Sequence, residues 1–156
     1  MTKQDPLILE SPDQFRDLVG EEIARSDWFT ITQDHIDAFA TLTGDKQWIH
    51  VDVPRAQLES PYRSTIAHGF LTLSLLSRMF QSAVQVDAKG MTINYGLNRV
   101  RFPSAVPVNS RLRATFTVQS FKEPRDGREV TFLAMVEREG HEKPCCVAEW
   151  VLRYYR

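Results

Sequence analysis

The segment from Gly69 to about Ser82, GFLTLSLLSRMFQS, limits more than any other how this chain can fold. Phe70, Leu71, Leu73, Leu75, Leu76, Met79 and Phe80 leave no polar stripe wide enough to face water, so a helix of this composition has to be enclosed by the rest of the chain. It is too short and too rich in hydroxyls to span a bilayer. The chain beyond this helix is almost entirely strand. Met91 to Phe102 comes first, and Ser110 to Ser120 sets Leu112, Ala114, Phe116 and Val118 against Arg111, Arg113, Thr115, Thr117 and Gln119 with the period of a half-buried strand. Arg125-Asp126-Gly127-Arg128 predicts a hairpin turn in which Asp-Gly supplies the positive φ angles. Glu129 to Glu137 returns, and Pro144 to Tyr155 is the last strand. One enclosed helix with a sheet long enough to wrap it predicts an α+β layered fold.

Ahead of that helix, Ser11-Pro12 opens a short helix that stops at Gly20. Ser26 to Thr32 is aromatic and β-branched and predicts a strand. Thr32 caps a helix from Gln33 to about Leu42, with Ile36, Phe39 and Ala40 on one face, and Gly44 ends it. Asp45 to Ala67 reads mostly as loop, with one helical turn after Pro54. No repeat, low-complexity tract or linker interrupts the 156 residues, so residues 1–156 are expected to form one domain, with 1–10 as an N-terminal arm. A net charge of -1 gives no broad attraction to nucleic acid or an anionic membrane. Asp5 and Pro6 interrupt any signal-peptide core. Cys145 and Cys146 are adjacent in a strand, where neighbours point to opposite faces and a disulfide between them would be strained. They read as small buried hydrophobes of a protein in a reducing cytoplasm.

The chemistry concentrates in TGDKQWIH, Thr43 to His50, which sets Asp45 and His50 five residues apart after a glycine. On the residues alone, Asp45 can serve a turn after the helix stop and His50 can be an ordinary half-buried ring. The two can also form an acid/base pair. Together with I-A-H-G-F-L (Ile66 to Leu71) and N-Y-G-L-N-R-V-R-F-P (Asn94 to Pro103), this stretch resembles the MaoC-like dehydratase family, which includes the (R)-specific enoyl-CoA hydratases. The likeness extends to its nodulation-protein-N-like branch and covers Gly20 to Tyr155. It implies the hot-dog fold, a curved antiparallel sheet wrapped around one long central helix. Members commonly carry Asn-Pro between the acid and the histidine, where this chain has Gln47-Trp48.

The resemblance implies reversible addition of water to a trans-2-enoyl-CoA, giving the (R)-3-hydroxyacyl-CoA. Asp45 and His50 are then catalytic, the Gly69 amide forms an oxyanion hole, and Ser77 and His68 support them. The pair suits the reaction. Hydration needs a base for the water proton, an acid for the α-carbon and a donor for the enolate oxygen, and a histidine titrates near neutrality. His68 has a structural role open to it as well, bonding the loop that holds Asp45. Trp48, large and beside His50, is expected to wall an acyl tunnel. Asn94, Tyr95, Gly96 and Arg101 are candidate substrate contacts, although Arg99 and Arg101 fit equally the solvent face of an alternating strand. Gly69 itself also fits tight packing at a helix start.

Other features carry less. His35 reads as surface, and His141 has no partner at metal-ligand spacing. Ser64 and Ser74 lack the setting of a hydrolase nucleophile. The phosphate-cradling glycine motifs are missing. No metal and no cofactor beyond CoA, carried on the substrate, is expected. The resemblance implies an acyl-CoA thioester as partner, no nucleic acid or membrane is expected, and open sheet edges together with the dimers that the resembled family forms predict a homodimer. The rival readings are a hot-dog acyl-CoA thioesterase and a non-catalytic acyl-CoA-binding protein.

Overall fold

The computed structural model describes residues 5–155. The first of these form β1 (Leu7–Leu9), a 3-10 helix (Pro12–Leu18), β2 (Glu22–Arg25) and β3 (Phe29–Thr30). Helices α1 (Gln33–Thr43), α2 (Trp48–Val51), α3 (Val53–Glu59), α4 (Gly69–Ser74) and α5 (Leu76–Ala83) come next. Strands β4 (Val84–Val86), β5 (Thr92–Arg101), β6 (Arg111–Lys122), β7 (Gly127–Arg138) and β8 (His141–Tyr155) complete the chain. The main sheet runs β2-β6-β7-β8-β5, with β3 also pairing β6, and every one of these pairings is antiparallel.

The alternation of β6 is realised: Leu112, Ala114, Phe116 and Val118 are all buried. They meet matching faces on β7 and β8 through the registers Phe116↔Ala134↔Ala148 and Val118↔Phe132↔Trp150. The helix lies on this face. Phe80 packs its ring 5.1 Å from Phe116, 5.0 Å from Phe132 and 5.6 Å from Trp150, the tilted and edge-on geometries that aromatic rings favour. A sheet curled over a helix is the hot-dog fold. The enclosed helix is divided into α4 and α5 at Leu75, whose backbone stays right-handed (φ -74°, ψ -10°), so the interruption is a local tightening. It is not covered all round either, since Phe70 is 69% exposed.

Several sequence expectations are corrected. Of the strand expected over Ser26 to Thr32 only Phe29–Thr30 is strand, and an unexpected β2 precedes it; between the two, the Ser26 hydroxyl accepts the Ala114 N–H (2.9 Å) and so takes the place of a ladder carbonyl. The segment after Asp45 is more helical than expected, with helix over Trp48–Val51 and Val53–Glu59 and loop only on either side of them. Asp52 caps α3 by accepting the Arg55 N–H (3.1 Å), and Pro54 stands in its first turn, a start signal that the sequence contains. Gly127 has no positive φ. Its N–H closes a turn onto Pro124 O (3.1 Å), and a Cβ there would lie 2.1 Å from Tyr154 O, so close approach is what requires glycine. The positive φ falls instead in the β7–β8 turn, at Gly140 (φ 71°), and β8 begins at His141, ahead of Pro144. Of the expected N-terminal arm, residues 1–4 lie outside the described residues, while β1 pairs in parallel with β4 and buries Leu9.

Cys145 and Cys146 are free and both buried, and burial pushes their thiols up to about 11 and about 12, far from the thiolate that reactivity needs. Among the described residues no helix is long and apolar enough to cross a membrane. At the end of the sheet, β5 pairs only with β8 among the described residues and leaves Ile93, Tyr95 and Leu97 exposed.

Candidate active site

The site starts where α1 stops. Thr32 and His35 close a capping box at the head of α1, giving His35 a role that its exposed position did not suggest. At the other end Gly44 is left-handed (φ 79°) and returns its N–H to Ala40 O (2.9 Å). The chain turns there and delivers Asp45. The Asp45 carbonyl accepts the Nε2–H of His68 (2.9 Å). Its carboxylate is 57% exposed, takes a long contact from the Gln47 N–H (3.4 Å) and lies 4.0 Å from His68 Nε2. The main chain is fixed, and the side chain faces water.

His50 sits on α2 and not on a loop, and it is buried. Its Nδ1 lies 2.6 Å from the Ile66 carbonyl. A carbonyl only accepts, so Nδ1 carries the ring proton and the neutral ring keeps its lone pair on Nε2. By the same logic His68 carries its proton on Nε2. The two rings stack at 3.7 Å and 25°, and Phe39 closes on His68 at 5.1 Å. Burial, above all, holds the His50 pKa below its ordinary value. The Ile66 hydrogen bond opposes this, the neighbouring His68 adds to the lowering, and the Asp45 carboxylate opposes it. The net result favours a neutral imidazole at neutral pH, which is the form that can take a proton.

Asp45, His50 and His68 each bring one donor atom to within 4.8 Å of the others. A metal ion would have to lie in the plane of both imidazoles, and two stacked planes direct their lone pairs side by side and not to a common point. A span of this length between carboxylate and imidazole is one that a single water can bridge.

Gly69 opens α4, whose first N–H groups have no partner within the helix. A Cβ at Gly69 would come within 3.0 Å of the Phe102 ring, so packing is sufficient reason for glycine here. Gly69 and His50 line one cavity of about 350 Å³, together with Ile66, Thr72, Phe102 and Val106. Sequence reasoning did not single out Thr72, Phe102 or the Ile66 carbonyl. Phe102 was within reach, as the aromatic near the end of the Asn94–Pro103 motif.

Comparison with known proteins bears on this geometry. Residues 14–139 match the MaoC like domain. The 3-hydroxyacyl-thioester dehydratase Z of Mycobacterium tuberculosis is 49% identical over 136 residues, which cover 86% of this chain and 89% of that protein. Nodulation protein N of Rhizobium leguminosarum bv. viciae is 44% identical over 135 residues, 85% of this chain and 84% of the relative. The chain belongs to the MaoC-like domain family. In fold it is similar to an (R)-hydratase from Pseudomonas aeruginosa (TM-score 0.71, 23% identity, 88% of this chain and 82% of that one). It is also similar to an Archaeoglobus monoamine oxidase regulatory protein (TM-score 0.76, 23% identity, 100% and 99%).

The other candidate residues of this MaoC-like chain lie apart from His50. Ser77 accepts from Asn94 Nδ2 (3.3 Å), and Asn94 in turn accepts from the Trp150 indole (3.1 Å). Ser77, Asn94 and Gly96 line a cavity of about 330 Å³ between the helix and β5, and Ser77 and Asn94 also line an adjoining one of about 220 Å³. Tyr95 stacks under the Arg153 guanidinium (3.5 Å). Arg101 is exposed and bonds the Val100 carbonyl (2.7 Å). Trp48 lines none of these cavities, and the Arg55 guanidinium covers its ring at 4.4 Å. Its backbone explains how the family's Asn-Pro can be replaced. Gln47 has the extended ψ of 138° that precedes proline, and Trp48 holds the first helical position, where proline is favoured.

Proposed function

We propose that this protein is a hydro-lyase that adds water reversibly to trans-2-enoyl-CoA to give (R)-3-hydroxyacyl-CoA, with no metal or redox group. The observation that carries the reading is the acceptor left on His50 Nε2, in a cavity that the start of α4 also lines, with an oxygen of the exposed Asp45 carboxylate within 4.8 Å of a ring nitrogen of His50. Asp45 and His50 hold the water. In the hydration direction they take one of its protons as its oxygen bonds the β-carbon, and a proton is delivered to the α-carbon. The carbonyl oxygen becomes an enolate, which the Gly69 N–H stabilises, and His68 keeps Asp45 in place. The thioester substrate is supported by the name of the 3-hydroxyacyl-thioester dehydratase relative, and the (R) stereochemistry by the resemblance to the (R)-specific hydratases alone. Asn94, Gly96 and Ser77 would contact the acyl group, and Arg101 the carrier.

The chain functions as one domain in the cytoplasm and as a homodimer. The open edge of β5, with Ile93, Tyr95 and Leu97 exposed, is the surface to be paired in the dimer. Sedimentation should give twice the 18.0 kDa chain mass at micromolar concentration; a single 18.0 kDa species would end the dimer proposal. For the reaction, purified protein is incubated with crotonyl-CoA while enoyl absorbance and free thiol are monitored together. Loss of absorbance without thiol is the expected result. Release of thiol would identify a thioesterase, and no change in either would identify a binding protein.

A further inference from the structure

Gln33, the first residue of α1, has both ends of its side-chain amide engaged by protein groups. Nε2 donates to the His50 carbonyl (2.8 Å) and to Asp37 Oδ1 (2.8 Å), and Oε1 accepts the hydroxyl of buried Thr65 (2.6 Å). A carbonyl and a carboxylate on one side and a hydroxyl on the other fix which end of the amide is nitrogen. The two contacts that matter reach across 17 and 32 residues of sequence. Next to Thr65 is Ile66, whose carbonyl accepts His50 Nδ1–H and whose N–H donates to Ile49 O (3.0 Å). A closed circuit results: His50 ring to Ile66 carbonyl, along the chain to the Thr65 hydroxyl, through the Gln33 amide, and back to the His50 carbonyl.

We infer that Gln33 is a positioning residue for His50. By clamping α2 to the Thr65–Ile66 segment it keeps the Ile66 carbonyl on Nδ1 and the lone pair on Nε2. Gln33 itself does not line the cavity that His50 shares with Gly69. A residue that merely anchors the start of α1 would affect stability and leave the imidazole as it is. The consequence for turnover rests on the proposed hydratase activity; the consequence for the ring does not.

The test uses the full chain with 15N-labelled histidine, comparing wild type with Gln33→Met, which keeps length without hydrogen bonds, and with Thr65→Val. Nitrogen–proton correlation spectra report the His50 tautomer. Wild type should carry the proton on Nδ1, and both variants should show a substantial Nε2–H population. With crotonyl-CoA, kcat should fall about ten- to a hundredfold, the cost of a small misplacement, while KM moves less than about twofold. The acid limb of kcat should shift to lower pH, because the Ile66 bond raises the His50 pKa. The titratable groups that face His50, Asp45 and stacked His68, are unchanged in both variants. The double variant should be little worse than either single one, as expected for one circuit. An unchanged Nδ1–H tautomer in both well-folded variants would overturn the inference, whatever happens to their melting temperatures. If wild type fails to hydrate crotonyl-CoA, the functional reading falls and the tautomer alone decides for Gln33.

Discussion

Asp45 and His50 are built into the molecule in opposite ways. His50 is enclosed, its ring proton pinned on Ile66, its face stacked on His68 and its carbonyl held by Gln33. Asp45 is anchored chiefly through its main chain, with a carboxylate that is more than half exposed. The lesson is that the two positions report different things when changed. Substituting Asp45 removes chemistry and little else, whereas substituting His50 removes chemistry and packing together.

The largest effect should therefore come with two different stability signatures. His50→Ala should lower hydration by about 10²–10⁴ and cost about 1–3 kcal/mol of stability. Asp45→Asn should lower hydration by a similar factor while staying within about 0.5 kcal/mol of wild type in denaturant melts. Equal destabilisation by both would dissolve the contrast and make Asp45 a structural residue.

His68 joins the two sides, so it offers an intermediate case. His68→Phe keeps a ring for the stack and loses the donor to Asp45 O, worth about 1 kcal/mol or roughly fivefold in kcat. Steady-state rates check this, and a fall as deep as that of Asp45→Asn would move His68 into the chemistry itself.

A smaller effect concerns acid stability. The His50 pKa is depressed in the folded chain, so the unfolded chain, with its value near 6.5, takes up the proton first as pH falls. The contribution of neutral His50 to stability is thus complete above about 6.5 and is lost as pH falls toward the folded-state value. Melting temperatures between about pH 7 and pH 5 should decline less steeply in His50→Asn than in wild type; parallel declines would contradict a depressed pKa. Smallest of all should be Trp48→Ala. Trp48 lies under Arg55 and outside the cavities, so every acyl chain length should be slowed alike. A change in chain-length preference would return Trp48 to the tunnel wall that its size suggested.

Much of the fold is legible in the sequence because its signals are local. The alternation in β6, the cap at Thr32 and the stop at Gly44 each depend on a few consecutive residues. The motif alone also marks Asp45 and His50. The features that escape a sequence reading depend on distant partners. The split of β2 from β3 rests on a Ser26 hydroxyl meeting Ala114, and the His50 tautomer on a carbonyl 16 residues away. The helix α3 is a different case, since its Asp52 cap and Pro54 start are visible but stand in a stretch that otherwise lacks periodicity.

The central claim is that Asp45 and His50 act on one water as a unit. Its most direct test is kcat/KM for crotonyl-CoA hydration by Asp45→Asn, His50→Ala and the double variant, with melts on the same samples. If neither partner can complete the proton transfers alone, each single variant loses nearly as much as the double one, at least about 10². A single variant that keeps more than about a tenth of wild-type activity, or single losses that multiply in the double variant, would show that the two residues do not form the catalytic centre.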